Sequence, residues 1–131
     1  RLGAQALDLM LATAEGRLGA SRVNWADDHA ACVVMAAPGY PGPATVGQAI
    51  GGLDTLPETS RQMMFHAGTM RQDGLFLSAG GRVLGATARA GSLAQAVAEA
   101  YALADRVDWP EAQMRRDIGW RALGQGPAGG R

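Results

Sequence analysis

The sequence predicts an α+β fold, a small and mainly antiparallel sheet with flanking helices. Three observations predict it. Short apolar runs recur between residues 30 and 88, separated by Gly- and Pro-rich breaks. Asp73-Gly74 stands between two such runs and is the residue pair that a tight two-residue hairpin requires. Apolar side chains at helical spacing occur only on the flanks, near residues 6–15 and 92–107, so strands and helices are segregated along the chain.

The elements follow in order. Leu7, Met10, Leu11 and Ala14 define a helix over Ala6 to Glu15, and Gly16 is placed to stop it. Ala30 to Ala37 is an unbroken apolar run of strand length, the pattern of a strand covered on both faces. That reading puts Cys32 in the core. Pro38-Gly39-Tyr40-Pro41-Gly42-Pro43 ends the strand, because three prolines leave few amides to continue a ladder. Residues 44–61 are polar and Gly-rich, and predict an irregular connection with one helical turn.

From Met63 the pattern reads as a meander. Met63, Phe65 and Ala67 form the apolar face, alternating with Met64, His66 and Gly68. Leu75 to Ser78 returns after Asp73-Gly74, Gly80-Gly81 turns again, and Arg82 to Ala88 is the third strand. Ser92 caps a helix, with Gln95 completing a capping box and Leu93, Ala96, Val97, Ala100, Leu103, Ala104 and Val107 on its apolar face. Trp109-Pro110 closes that element, and residues 124–131 read as a flexible tail.

Composition removes several function classes. At 131 residues the chain is one domain that buries roughly two-thirds of its unfolded surface. Twelve basic residues balance twelve acidic ones with no basic run, which argues against nucleic acid and anionic membranes as partners. No apolar run approaches the ~18 residues of a membrane span. A single Cys cannot form an internal disulfide and fits the reducing cytoplasm. His29, Cys32 and His66 lack zinc-ligand spacing, so no metal site is expected. There is no Lys, Walker loop, dinucleotide fingerprint or Gly-x-Ser-x-Gly elbow. The chain opens on Arg1 within what reads as a helix already under way, as a piece of something longer would.

The stretch from Ser78 to Ala88 carries the most functional information. Gly80 and Gly81 form a turn with exposed amides, and Arg82 leaves it at the root of an apolar strand. Bare N–H donors beside a guanidinium suit a phosphate; an ordinary Gly-Gly hairpin followed by a solvated Arg has the same local pattern. His66 reads either as a hydrogen-bonded, half-exposed sheet residue or as a substrate contact. Asp27-Asp28-His29 reads as a solvated acidic turn. Arg115-Arg116-Asp117 reads as an ion pair pinning the chain end onto the domain, with an anion site as the alternative.

Six motifs then occur together and in register: Trp25-Ala26-Asp27; the strand Ala31 to Ala36 running into Gly39-Tyr40-Pro41-Gly42; Gly52-Leu53-Asp54; Phe65-His66-Ala67-Gly68-Thr69; Gly80-Gly81-Arg82-Val83-Leu84-Gly85; and Arg115-Arg116-Asp117-Ile118-Gly119. Over residues 1–123 they resemble the C-terminal domain of phosphoribosylamine–glycine ligase (glycinamide ribonucleotide synthetase), of the ATP-grasp superfamily. Pro38 departs from the family pattern, where a small residue more often precedes Gly-Tyr-Pro-Gly.

The resemblance implies a ligase of purine biosynthesis that joins glycine to 5-phosphoribosylamine with ATP, giving glycinamide ribonucleotide, ADP and phosphate. ATP and its Mg2+ or Mn2+ are then held by grasp domains N-terminal to the matched region, onto which this domain packs. Residues 1–19 resemble the helix that connects from them. This part alone is expected to be inactive. The resemblance further implies that Arg82, with Gly80 and Gly81, anchors the ribose 5-phosphate, with Ser78 and His66 nearby in a substrate-binding role. A non-catalytic sugar-phosphate-binding module and a purely structural domain are the competing readings.

Overall fold

The computed structural model describes residues 1–124, so the expected tail lies outside the described residues except for Gly124. Two α-helices, α1 (Gln5–Ala14) and α2 (Leu93–Ala104), flank six strands: β1 (His29–Ala36), β2 (Ala49–Ile50), β3 (Gln62–His66), β4 (Thr69–Gln72), β5 (Leu75–Ser78) and β6 (Arg82–Ala90). All observed pairings are antiparallel, and the class is α+β as the sequence predicts.

The strands form two sheets, ordered β1-β6-β3 and β2-β5-β4, where the sequence suggested one meander. The split occurs at Ala67-Gly68. Both of these amides donate to the Val83 carbonyl, at 3.0 and 3.1 Å, which ends the pairing of β3 with β6. The Gly68 carbonyl accepts from Ala79 instead, at 2.7 Å. Gly80-Gly81 is therefore the crossover between sheets, and the only tight hairpin of this region among the described residues is β4–β5. There Asp73 and Gly74 have φ of 50° and 81°, as a two-residue turn with two left-handed positions requires.

Packing explains which faces are wet. Ala96, Ala100 and Ala104 recur every four residues on α2 and are buried. Their small side chains let the helix lie close to the large sheet, where Val33, Met35, Leu84, Ala86 and Ala88 complete the core. Burial of Met35, Leu84 and Leu103 contributes about 1.5–3 kcal/mol each. Ser92 Oγ accepts the Gln95 amide at 3.2 Å, while the Gln95 side chain donates to Glu99 at 2.9 Å, so one arm of the expected capping box is made. Val107 lies beyond the helix end but is still buried.

Two face assignments differ from the sequence reading. β1 alternates, with Ala31, Val33 and Met35 inward and Cys32 and Val34 exposed, because α2 covers one side of the sheet only. An Ala/Cys/Val run contains no polar residue to mark the open side. In β3 the inward residue is Met64, at 7 % exposure, while Phe65 is 52 % exposed. Met64 lies opposite Ala86 on the α2 side, and this register overrides the hydrophobicity of Met63 and Phe65.

The connection 44–61 is irregular, as predicted, and holds β2 and a 3-10 turn at Leu53–Thr55. α1 starts one residue earlier than expected. Its apolar side chains are mostly outside, with Leu7 and Met10 at 73 and 70 % exposure and Ala12 its single buried residue. The Gln5 side chain bonds both the amide and the carbonyl of Asn24, and Arg1 donates to the Ala26 carbonyl. The N-terminal segment thus folds back on itself before β1.

Candidate functional site

A cleft of about 440 Å³ opens on the uncovered side of the large sheet. Cys32 and Val34 of β1 lie along it with Tyr40, and Arg82 stands at the start of β6. The other wall is the C-terminal segment with Arg115 and Ile118. That segment is fastened to β1 by reciprocal bonds between Ala36 and Gln113, both 2.8 Å. Tyr101 at the end of α2 holds it further along: its hydroxyl donates to the Arg115 carbonyl at 2.8 Å and accepts the Ile118 amide at 3.0 Å.

A bulge aims Arg82. Met35 lies opposite Leu84, but Ala36 lies opposite Arg82, so β6 carries one more residue, Val83, than β1 at this point. Strict alternation from Leu84 would put Arg82 on the α2 side. The extra residue places it beside Ala36, on the side of Cys32 and Val34. Its side chain is exposed and forms no ion pair among the described residues.

The other residues singled out by the sequence divide. Gly81 abuts the Tyr40 ring: a Cβ there would lie 2.7 Å from Tyr40 Cδ2. Gly80 packs on Gly68, whose own Cβ would come within 2.6 Å of the Arg82 carbonyl. The Gly80 and Gly81 amides donate to no group among the described residues, yet neither glycine lines the cleft.

Ser78 is 0 % exposed, and its Oγ accepts the Gln48 amide at 3.1 Å. With its amide and carbonyl also bonded to Gln48 and Gly47, it is a structural tie with no surface for a ligand. His66 lies opposite Leu84, on the side away from the cleft, because of the β3 register. It bonds Thr69 Oγ1 at 2.9 Å, and its ring centroid is 5.1 Å from that of Phe76. Ser78 and His66 thus lie outside this cleft, whereas Tyr40 and Arg115 line it. Gly39-Tyr40-Pro41-Gly42 was readable as a motif, but its approach to Gly81 was not.

Arg82 and Arg115 are the charged residues that line the cleft. Arg115 grips Asp117 side-on, through Nε at 2.8 Å and Nη2 at 2.7 Å. The hydrogen bond from Arg115 holds the Asp117 carboxyl below its ordinary range, and the same bond raises the Arg115 pKa. The pinning role expected of this pair falls instead to Arg116, which reaches Asp105 at 2.8 Å.

Residues 30–121 match the family model described as phosphoribosylglycinamide synthetase, C domain. The chain belongs to that family. Among its relatives, the phosphoribosylamine–glycine ligase of Brucella melitensis is 45 % identical over 123 residues, covering 94 % of this chain and 29 % of the relative. The chloroplastic ligase of Arabidopsis thaliana is 39 % identical over 127 residues, covering 95 % and 24 %. The crystal structure of the Thermotoga maritima ligase superposes with a TM-score of 0.66 at 29 % identity, over 86 % of this chain and 28 % of that one. The resemblance read from the six motifs therefore holds, and this C domain spans less than a third of the length of those relatives.

Proposed function

We propose that this C domain serves a phosphoribosylamine–glycine ligase, and that Arg82 anchors the 5-phosphate of phosphoribosylamine in the cleft. The observation that carries the reading is an exposed guanidinium without an ion-pair partner among the described residues, aimed into a cleft by a bulge. Its planar fork matches a phosphate. The Gly80 and Gly81 amides, unbonded among the described residues, adjoin Arg82 in the chain but lie outside the cleft lining, so Arg82 is the donor on which this reading rests. Holding a phosphate remote from the amine fixes where that amine sits, so the contribution to catalysis is positioning.

On this reading the domain is residues 1–123, with 1–19 connecting to the rest of the ligase and the cleft closing against it. ATP with Mg2+ or Mn2+ supplies carboxylate activation for glycine. The residues described here do not fit that group: no cluster of three His, Cys, Asp or Glu side chains among them could hold a metal ion, and the chain has no Lys. The nucleotide and metal belong to the remainder of the longer protein. No described helix is long and apolar enough to cross a membrane, and the lone Cys32 suits a cytoplasmic location.

A second reading has a specific observation behind it. The cleft floor of Cys32, Val34, Met114 and Ile118 is apolar, as in a surface that packs on another domain with Arg82 pairing a carboxylate there. Arg82→Met in the full-length ligase separates the two. Loss of a charge-assisted phosphate contact, about 1.5–3 kcal/mol, raises KM for phosphoribosylamine and leaves those for glycine and ATP near wild type. Unchanged KM with a lowered melting temperature would establish the packing role instead.

A further inference from the structure

We infer that Arg115 is a second phosphate-binding residue of the cleft, with Asp117 as the group that positions it. This inference rests on the phosphate reading of Arg82. The two arginines come from segments far apart in sequence, yet both line one cleft. Among the described arginines they are the two that do so.

The Arg115–Asp117 pair leaves Arg115 able to bind. A guanidinium has five N–H donors, and the side-on grip uses Nε and one hydrogen of Nη2. Three donors remain, all on the Nη atoms at the far end from Nε. Asp117 itself is well covered, its side chain 8 % exposed, and it does not line this cleft, whereas the Arg115 side chain is 70 % exposed. The carboxylate braces the guanidinium as a strut from outside this cleft, in the adjoining hollow that Arg115 and Asp117 both line.

That strut is rigidly based. Tyr101 bonds the Arg115 carbonyl and the Ile118 amide from either side of Asp117, and Arg116 between them is tied to Asp105. The backbone that carries Arg115 and Asp117 is thus fixed to the end of α2. A pre-oriented fork binds with less loss of side-chain freedom than a free one.

Arginines on two walls fit a phosphate monoester, whose oxygens accept from more than one direction. The apolar floor between them suits the carbon face of a pentose better than a free inorganic anion.

The test uses the full-length ligase and measures the Kd of ribose 5-phosphate, with ribose as the uncharged control. Arg115→Met is expected to weaken ribose 5-phosphate about tenfold or more, the scale of one charge-assisted contact, and to leave ribose unchanged. Arg115→Lys keeps charge and bulk without the fork, and is expected to recover only part of the loss. Asp117→Asn is expected to weaken binding less than Arg115→Met, through loss of orientation. If Arg82→Met weakens ribose 5-phosphate while Arg115→Met and Arg115→Lys match wild type, the Arg115 assignment is overturned and the phosphate reading stands. If Arg82→Met is also silent, the phosphate reading itself has failed. Should Arg115→Met not fold, Arg115→Lys against ribose 5-phosphate decides the matter alone.

Discussion

Gly68 and Gly81 show how much of the site depends on the absence of a side chain. The obstacle at Gly68 is the Arg82 carbonyl, 2.6 Å from where an alanine methyl would stand, and that oxygen belongs to backbone fixed by the sheet. Gly68→Ala is therefore expected to destabilise the fold by roughly 1–3 kcal/mol, measured by denaturant unfolding. The obstacle at Gly81 is the Tyr40 ring, which can swing away from the chain it leans on. Gly81→Ala is expected to cost less stability than Gly68→Ala but to raise KM for the phosphorylated substrate in the full-length ligase, because Tyr40 is displaced into the cleft wall. Equal stability losses with unchanged KM would contradict this assignment. The Gly80-Gly81-Arg82 turn was legible at this scale because its motif is local, whereas the bulge that brings Arg82 to the cleft was not. Tyr40 was not, since nothing near residue 40 announces a partner forty positions away.

Alternation along β3 decides between two similar methionines. Met64 faces α2 and Met63 does not, although both are equally apolar in sequence. Met64→Ala is expected to lower stability by about 2–4 kcal/mol through loss of buried contact. Phe65→Ala, on the open side, is expected to change it by no more than about 0.5 kcal/mol. The reverse ranking in chemical unfolding would mean that the register is shifted by one residue. Hairpin β4–β5 and α2 were legible because Asp73-Gly74 and Ser92 determine local geometry on their own. The faces of β1 and β3 were not, because their residues are apolar on both sides and only the position of α2 distinguishes them. The division into two sheets escaped for a related reason: Gly80-Gly81 serves a hairpin and a crossover equally well.

One ion pair ties an outlying segment to the sheet, and another braces the C-terminal segment internally. Arg89 of β6 holds Asp28, just ahead of β1, at 2.6 Å, and Arg115 holds Asp117 beyond α2. In each case the hydrogen bond from arginine is the main cause that lowers the carboxyl pKa. A carboxyl that titrates lower in the folded than in the unfolded chain stabilises the fold above its unfolded value of about 3.9. That contribution disappears as the pH falls through the lowered folded value. The melting-temperature gap between wild type and Asp28→Asn is therefore expected to be full between about pH 5 and 7 and to close below about pH 4. A gap that persists at low pH would show that the pair acts through packing alone.

The single unmatched residue of β6 has a consequence for how such sites arise and vanish. Lengthening β1 by one residue after Met35 would give Val83 a cross-strand mate, iron out the kink and swing the guanidinium stem under the α2 side. Every side chain discussed here would still be encoded, yet the crevice would have lost its cation. Affinity for an anion in this fold is thus written partly as a difference in length between neighbouring strands, a property that substitutions leave untouched and that one inserted codon erases.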